Sequence, residues 1–112
     1  MADPITWADF ERCQIRVGTI VSAEPFPEAR KPAWRLVVDF GPHGTRRSSA
    51  QLTHLYTPET LVGRQVIAVL GFPPRRIGPF VSECLVTGFV REDGAVVLAV
   101  PDQPVPDGSP LA

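Results

Sequence analysis

No stretch of this sequence stays apolar for the roughly 18 residues that a membrane-spanning helix requires. It also lacks an excess of either charge. Eleven Lys and Arg face twelve Asp and Glu, for a net charge of −1 and a pI of about 6.1. That balance excludes a protein that grips nucleic acid by bulk charge, so any such site needs a local basic patch. Cysteine is scarce. Cys13 and Cys84 are the two, with no C-x-x-C and no zinc spacing, which excludes a disulfide framework and suits a reducing cytoplasm. No glycine-rich phosphate loop and no internal repeat occur. The first thirteen residues, MADPITWADFERC, are acidic and hold no basic and apolar leader, so no signal peptide is expected.

Proline is what the sequence has in excess. Thirteen in 112 residues is more than twice the usual share of about 5%. Proline stops helices and is excluded from central strands, so it belongs in turns, and many turns in a short chain favour an all-β barrel or sandwich. The length fits one domain, 1–112. Thr6 with Asp9 three residues later marks the start of a short helix that puts Trp7 and Phe10 on one face. From Ile15 the period becomes two: Ile15, Val17, Thr19, Val21 and Ala23 alternate with Arg16, Gly18, Ile20 and Ser22, a first strand. Glu24 to Ala33 reads as a loop, Trp34 to Phe40 as a second strand, and Gly41 to Gly44 as a tight turn. Thr45 onward gives a third strand with Ser48 and Ala50 on one face. Pro58 to Leu61 gives a helical turn, and Gln65 to Leu70 a buried strand. Phe72 to Ile77 reads as a loop, Val81 to Val90 as a strand, and Ala95 to Val100 as the last strand after the REDG turn. The tail from Pro101 is expected to hold no regular structure. Helix, three strands, helical connection, two or three strands is the order of a five-stranded OB barrel.

Catalysis finds little support. His43 lies in a Gly-Pro turn and His54 in a polar loop, neither beside a nucleophile pattern, and no carboxylate pair stands out. Cys13 and Cys84 read as small packing groups. No enzyme, metal or cofactor is expected. The arginines carry more information. Arg46-Arg47 enter the third strand, Arg75-Arg76 sit in FPPRRI, and Arg30-Lys31 lie in the first long loop. Arginine forks pair with phosphates, carboxylates or peptide carbonyls. Phe26-Pro27 and Phe72-Pro73-Pro74 with Phe80 frame the same places, as apolar rims for a base or an unfolded peptide or as caps on the barrel core.

Three stretches resemble the CsaA-type protein-export chaperones of the tRNA-binding-domain superfamily: Asp9 to Gly41, Arg46 to Gly88, and Val96 to Leu111. SSAQ, FPPRRI, SE-x-L and PDxxVPxG occur in the family's order. Where tRNA binders of the superfamily often read S-E-G-M, this chain has Ser82-Glu83-Cys84-Leu85, as in the chaperone branch. Their His-Pro is Phe26-Pro27 here, and the chaperones' usual asparagine before FPPRRI is Gly71, so a polar contact is expected to be absent there. The resemblance implies an OB barrel with a core from about 14 to 100. Extensions 1–13 and 101–112 would form a homodimer through Trp7, Phe10, Val105 and Leu111. It implies a ligand site of Lys31, Arg46, Ser48, Ser49, Gln51, Phe72, Pro74, Arg75, Arg76, Ser82 and Leu85. The implied partners are unfolded or precursor polypeptides, the export machinery and tRNA, in the cytoplasm and without membrane insertion. The competing readings are a chaperone, a tRNA-binding module, and an assembly partner with no groove ligand.

Overall fold

The computed structural model describes residues 3–112. A six-residue helix, α1 (Trp7–Arg12), opens the chain on the expected capping box. The Thr6 hydroxyl accepts from the Asp9 N–H at 3.1 Å and the Asp9 carboxylate from the Thr6 N–H at 3.0 Å. Strands β1 (Ile15–Pro25), β2 (Trp34–Asp39) and β3 (Thr45–Ala50) follow, then α2 (Pro58–Leu61) and β4 (Gln65–Val69). Five short strands complete the chain: β5 (Arg75–Ile77), β6 (Phe80–Ser82), β7 (Leu85–Val86), β8 (Gly88–Val90) and β9 (Val96–Leu98). Among the described residues no helix is long and apolar enough to cross a membrane.

The main sheet runs β3-β2-β1-β4-β7, all antiparallel, and curls into a nearly closed barrel. Its interior follows the period-two rule. Leu36, Val38 and Phe40 point inward from β2 and the residue after it, Val66 and Ala68 from β4, with Leu61 of α2 closing one end. Gly18 on β1 is required there, because a Cβ would lie 2.7 Å from both Phe40 and Val38.

Four details differ from the sequence reading. The simple alternation of β1 is broken, with Val17 and Ile20, from opposite rows, both buried. A bulge between Ile20 and Ser22 then shifts the register, leaving Val21 exposed and Ala23 against the core. The strand expected over Val81 to Val90 is broken into β6, β7 and β8, because Glu83 turns aside to bond β3. FPPRRI is a loop only in its first half: Arg75–Ile77 pairs with Phe80–Ser82 as a hairpin around Gly78-Pro79. The tail is also ordered by backbone bonds. Val17 N–H donates to Ser109 O (3.0 Å), Gly108 N–H to Val17 O (2.7 Å) and Leu111 N–H to Ile15 O (2.9 Å), so the tail lies along the edge of β1 that β2 leaves free. No hydrophobic period announces such pairing, since a tail on an edge needs only backbone groups.

Candidate functional site

The β5–β6 hairpin is held beside the barrel by a small core of its own. Phe26 and Phe80, 4% and 8% exposed, meet at 5.2 Å between ring centroids and pack with Ala33 and Ile77. Burying two phenylalanines contributes roughly 3–6 kcal/mol, enough to fix a hairpin of this size. Arg35 lies over the Phe26 ring and Arg47 over the Phe80 ring, 5.7 and 5.6 Å from the centroids. The aromatic rim expected at Phe26 is therefore closed within the molecule.

Between this hairpin and the barrel runs a groove of about 710 Å³. Phe72, Pro73 and Pro74 form one wall. Arg75, Arg76 and Ile77 line the hairpin side, and Ser49, Ser82, Cys84 and Leu85 line the barrel side. Phe72 and Leu85 are 57% and 48% exposed, so the apolar surface is open to a ligand. The backbone before it is tightly set. Gly71 N–H donates to Cys13 O at 2.8 Å, and a Cβ at Gly71 would lie 2.6 Å from that same oxygen. Where the chaperone pattern carries asparagine, this chain instead brings its backbone onto the end of α1.

The barrel side of the groove is tied across the barrel seam. Glu83 N–H donates to Arg47 O at 2.7 Å, and the Glu83 carboxylate accepts from the Arg47 N–H (3.0 Å) and Nε (3.1 Å). Burial pushes the Glu83 carboxyl up, but these hydrogen bonds and the charges of Arg47 and Arg46 outweigh it and hold the group below its ordinary range. Ser82 Oγ accepts from the Ser49 N–H at 3.4 Å and donates to Cys84 O at 3.3 Å. At Cys84, burial pushes the thiol up to about 11, against the lowering effects of the Ser48 hydroxyl and the Arg46 charge. It is protonated at neutral pH and serves as apolar floor.

Seven of the expected ligand residues converge on this groove: Ser49, Phe72, Pro74, Arg75, Arg76, Ser82 and Leu85. Ser48 does not. It is 1% exposed, and its hydroxyl donates to Cys84 O at 3.0 Å, so it holds the groove floor from behind and no ligand reaches it. Lys31 and Gln51 line a separate cleft with Pro32 and His54, and Arg46 is half-buried on β3 outside the groove lining. Sequence reasoning missed Pro73, Ile77 and Cys84 as lining residues and the Arg47–Glu83 tie. Ile77 was readable in principle, since it alternates with Arg75 once FPPRRI is taken as a strand. Of the expected dimer contacts, Trp7, Phe10 and Leu111 border neighbouring clefts at α1 and the tail end. Val105 lies elsewhere, bonded through its backbone to the Gln65 side chain. Among the described residues no three His, Cys, Asp or Glu gather as metal ligands.

The family model for the tRNA binding domain matches residues 15–110, from the first residue of β1 to the tail that pairs with it. The chain belongs to this family. A CsaA chaperone from Bacillus anthracis is 46% identical, with a TM-score of 0.90 over 98% of this chain and 100% of that one. The Picrophilus torridus CsaA chaperone is 43% identical, with a TM-score of 0.88 over 97% and 100%. The methionine–tRNA ligase of Porphyromonas gingivalis is 35% identical over 97% of this chain, which spans 16% of that enzyme. The family thus holds free-standing barrels similar to this chain along their whole length and modules carried by a far longer ligase. The family model is described by tRNA binding, and the chaperone role is that of the two CsaA proteins.

Proposed function

We propose that this protein is a chaperone that binds unfolded or export-precursor polypeptides in the Phe72–Leu85 groove, as a homodimer and without nucleotide or metal. It works in the cytoplasm as one domain over 1–112 and hands its clients to the export machinery. The observation that carries this reading is the groove itself: an open, mostly apolar groove of about 710 Å³, bordered by Arg75 and Arg76. Proline stiffens the Phe72–Pro74 wall, which cuts the entropy lost when a flexible client is held. The full-length similarity to CsaA chaperones supports it.

The second reading is tRNA binding through the basic face, supported by the family match and the ligase relatives. It is weakened by charge. The chain carries a net −1, and Arg35 and Arg47 are engaged with Glu24 and Glu83, whereas phosphate-led binding uses several free cations. Anisotropy of a labelled unfolded precursor peptide, titrated with protein and challenged with bulk tRNA, separates the two. Saturable binding that tRNA does not displace, lost in the Arg75→Ala, Arg76→Ala double variant, supports the chaperone. Displacement by tRNA that disappears as salt rises moves the RNA reading to first place.

A further inference from the structure

Two adjacent arginines border the groove, but they are not equivalent. Successive strand residues project to opposite faces. In the β5–β6 hairpin Arg75 pairs with Ser82 and Ile77 with Phe80, so these four share one face, while Arg76 and its partner Val81 share the other. The groove is lined by Ile77 and Ser82 and not by Val81. Arg75 therefore shares its face with Ile77 and Ser82, which line the groove, while Arg76, which also borders the groove, shares its face with Val81, which does not.

The charge of Arg75 is also uncompensated. The ion pairs among the described residues join Arg12 to Asp9, Arg35 to Glu24, Arg47 to Glu83 and Arg91 to Asp93. None engages Arg75. The acid nearest to the groove in sequence, Glu83, accepts two hydrogen bonds from Arg47 and is held ionised by it. No groove-lining residue carries negative charge. A guanidinium on the hairpin wall of a groove that Phe72, Ile77 and Leu85 also line thus lacks the anion that such a fork pairs with best.

Resting on the polypeptide-binding reading above, we propose that the groove is selective among clients. It takes extended segments in which an acidic residue is flanked by apolar ones, with Arg75 reading the carboxylate and Phe72 and Leu85 receiving the apolar neighbours. Segments with a basic residue at the same place are rejected by like charge. Arg75 is a specificity residue, and Arg76 contributes only a general positive field.

The test uses three short labelled peptides, identical and apolar-flanked apart from a central Glu, Gln or Lys, titrated into the full chain at low and high salt. The Glu peptide should bind about three- to fivefold more tightly than the Gln peptide, the range of an exposed ion pair, and the Lys peptide more weakly than either. The order should collapse in Arg75→Gln and persist in Arg76→Gln, with all three proteins unfolding at the same temperature. Equal binding of the three peptides to the natural chain would overturn the selectivity and leave the polypeptide reading standing. Binding of none would overturn both. Displacement of the Glu peptide by bulk tRNA, with the same dependence on Arg75, would assign the fork to phosphate and overturn the proposal.

Discussion

Glu83 does at one residue what a strand ladder does elsewhere. At the seam, β3 faces the segment between β6 and β7, and there the Arg47 N–H finds a carboxylate instead of a main-chain carbonyl. Both side chains are partly open to solvent, so the ion pair contributes only about 0.5–1 kcal/mol. The folded-state pKa is depressed below the ordinary 4.5. Its stabilisation is therefore fully present above that ordinary value and is lost as pH falls through the lower folded one. Glu83→Gln should cost about 1 kcal/mol at neutral pH, and the gap to the natural chain should close as the pH drops below 4.5. Urea midpoints across that range measure it, and a gap independent of pH would show that shape rather than charge holds the seam. The sequence displayed Glu83 and Arg47 as separate members of SECL and TRRSSA. Nothing in either stretch says that they meet, since their pairing depends on how far the barrel curls.

Among the elements, the strands with a strong period were legible and those fixed by distant partners were not. Trp34 to Phe40 alternates apart from Val37, and its row of Leu36, Val38 and Phe40 is the core row. Ile15 to Ala23 alternates too, yet Val17 and Ile20, from opposite rows, are both buried while Val21 is exposed, so period alone could not say which row was inside. The tail is the clearest case. Its prolines argued against any regular structure, but Pro110 can sit on an edge because Ser109 O and Leu111 N–H supply the bonds around it. Asp107 pins this segment: its carboxylate accepts from the Thr19 hydroxyl at 2.7 Å and from the Gln65 amide at 3.1 Å. Asp107→Ala should destabilise the fold by about 1–2 kcal/mol, since the part-buried Thr19 hydroxyl would lose its acceptor and the Gln65 amide would keep only Val105 O. The same variant should speed exchange of the Val17 and Leu111 amides while leaving those of β2 protected. Uniform protection would mean that the backbone bonds hold the tail unaided.

At the scale of the molecule, the apolar surface outside the groove bears on assembly. Trp7 is 77% exposed and Ile5 71%, and with Phe10 and Ala112 they line one shallow cleft, while Phe10 and Leu111 join the next. Helix α1 buries none of its residues within the protomer, so its apolar face gains nothing by folding alone. Trp7 and Phe10, at 6.0 Å edge to face, form a preset aromatic pair of the kind that anchors interfaces. Val105 stands apart, near Gln65 at the other end of the paired part of β1, roughly 13 Å away along the strand. This arrangement supports a two-fold interface built on α1 and the last residues of the tail, with Val105 outside it. Light scattering at micromolar concentration should then give about twice the protomer mass of 12.2 kDa. The double change Trp7→Ser, Phe10→Ser should give the single protomer mass, while Val105→Ser should leave the dimer intact. Neither change touches the barrel core, so both variants should keep the natural far-UV spectrum. A natural chain that runs as a 12.2 kDa particle would defeat the interface. A double variant that stays dimeric would move it elsewhere on the surface, the exposed Phe89 and Val90 of β8 being the next apolar face to test.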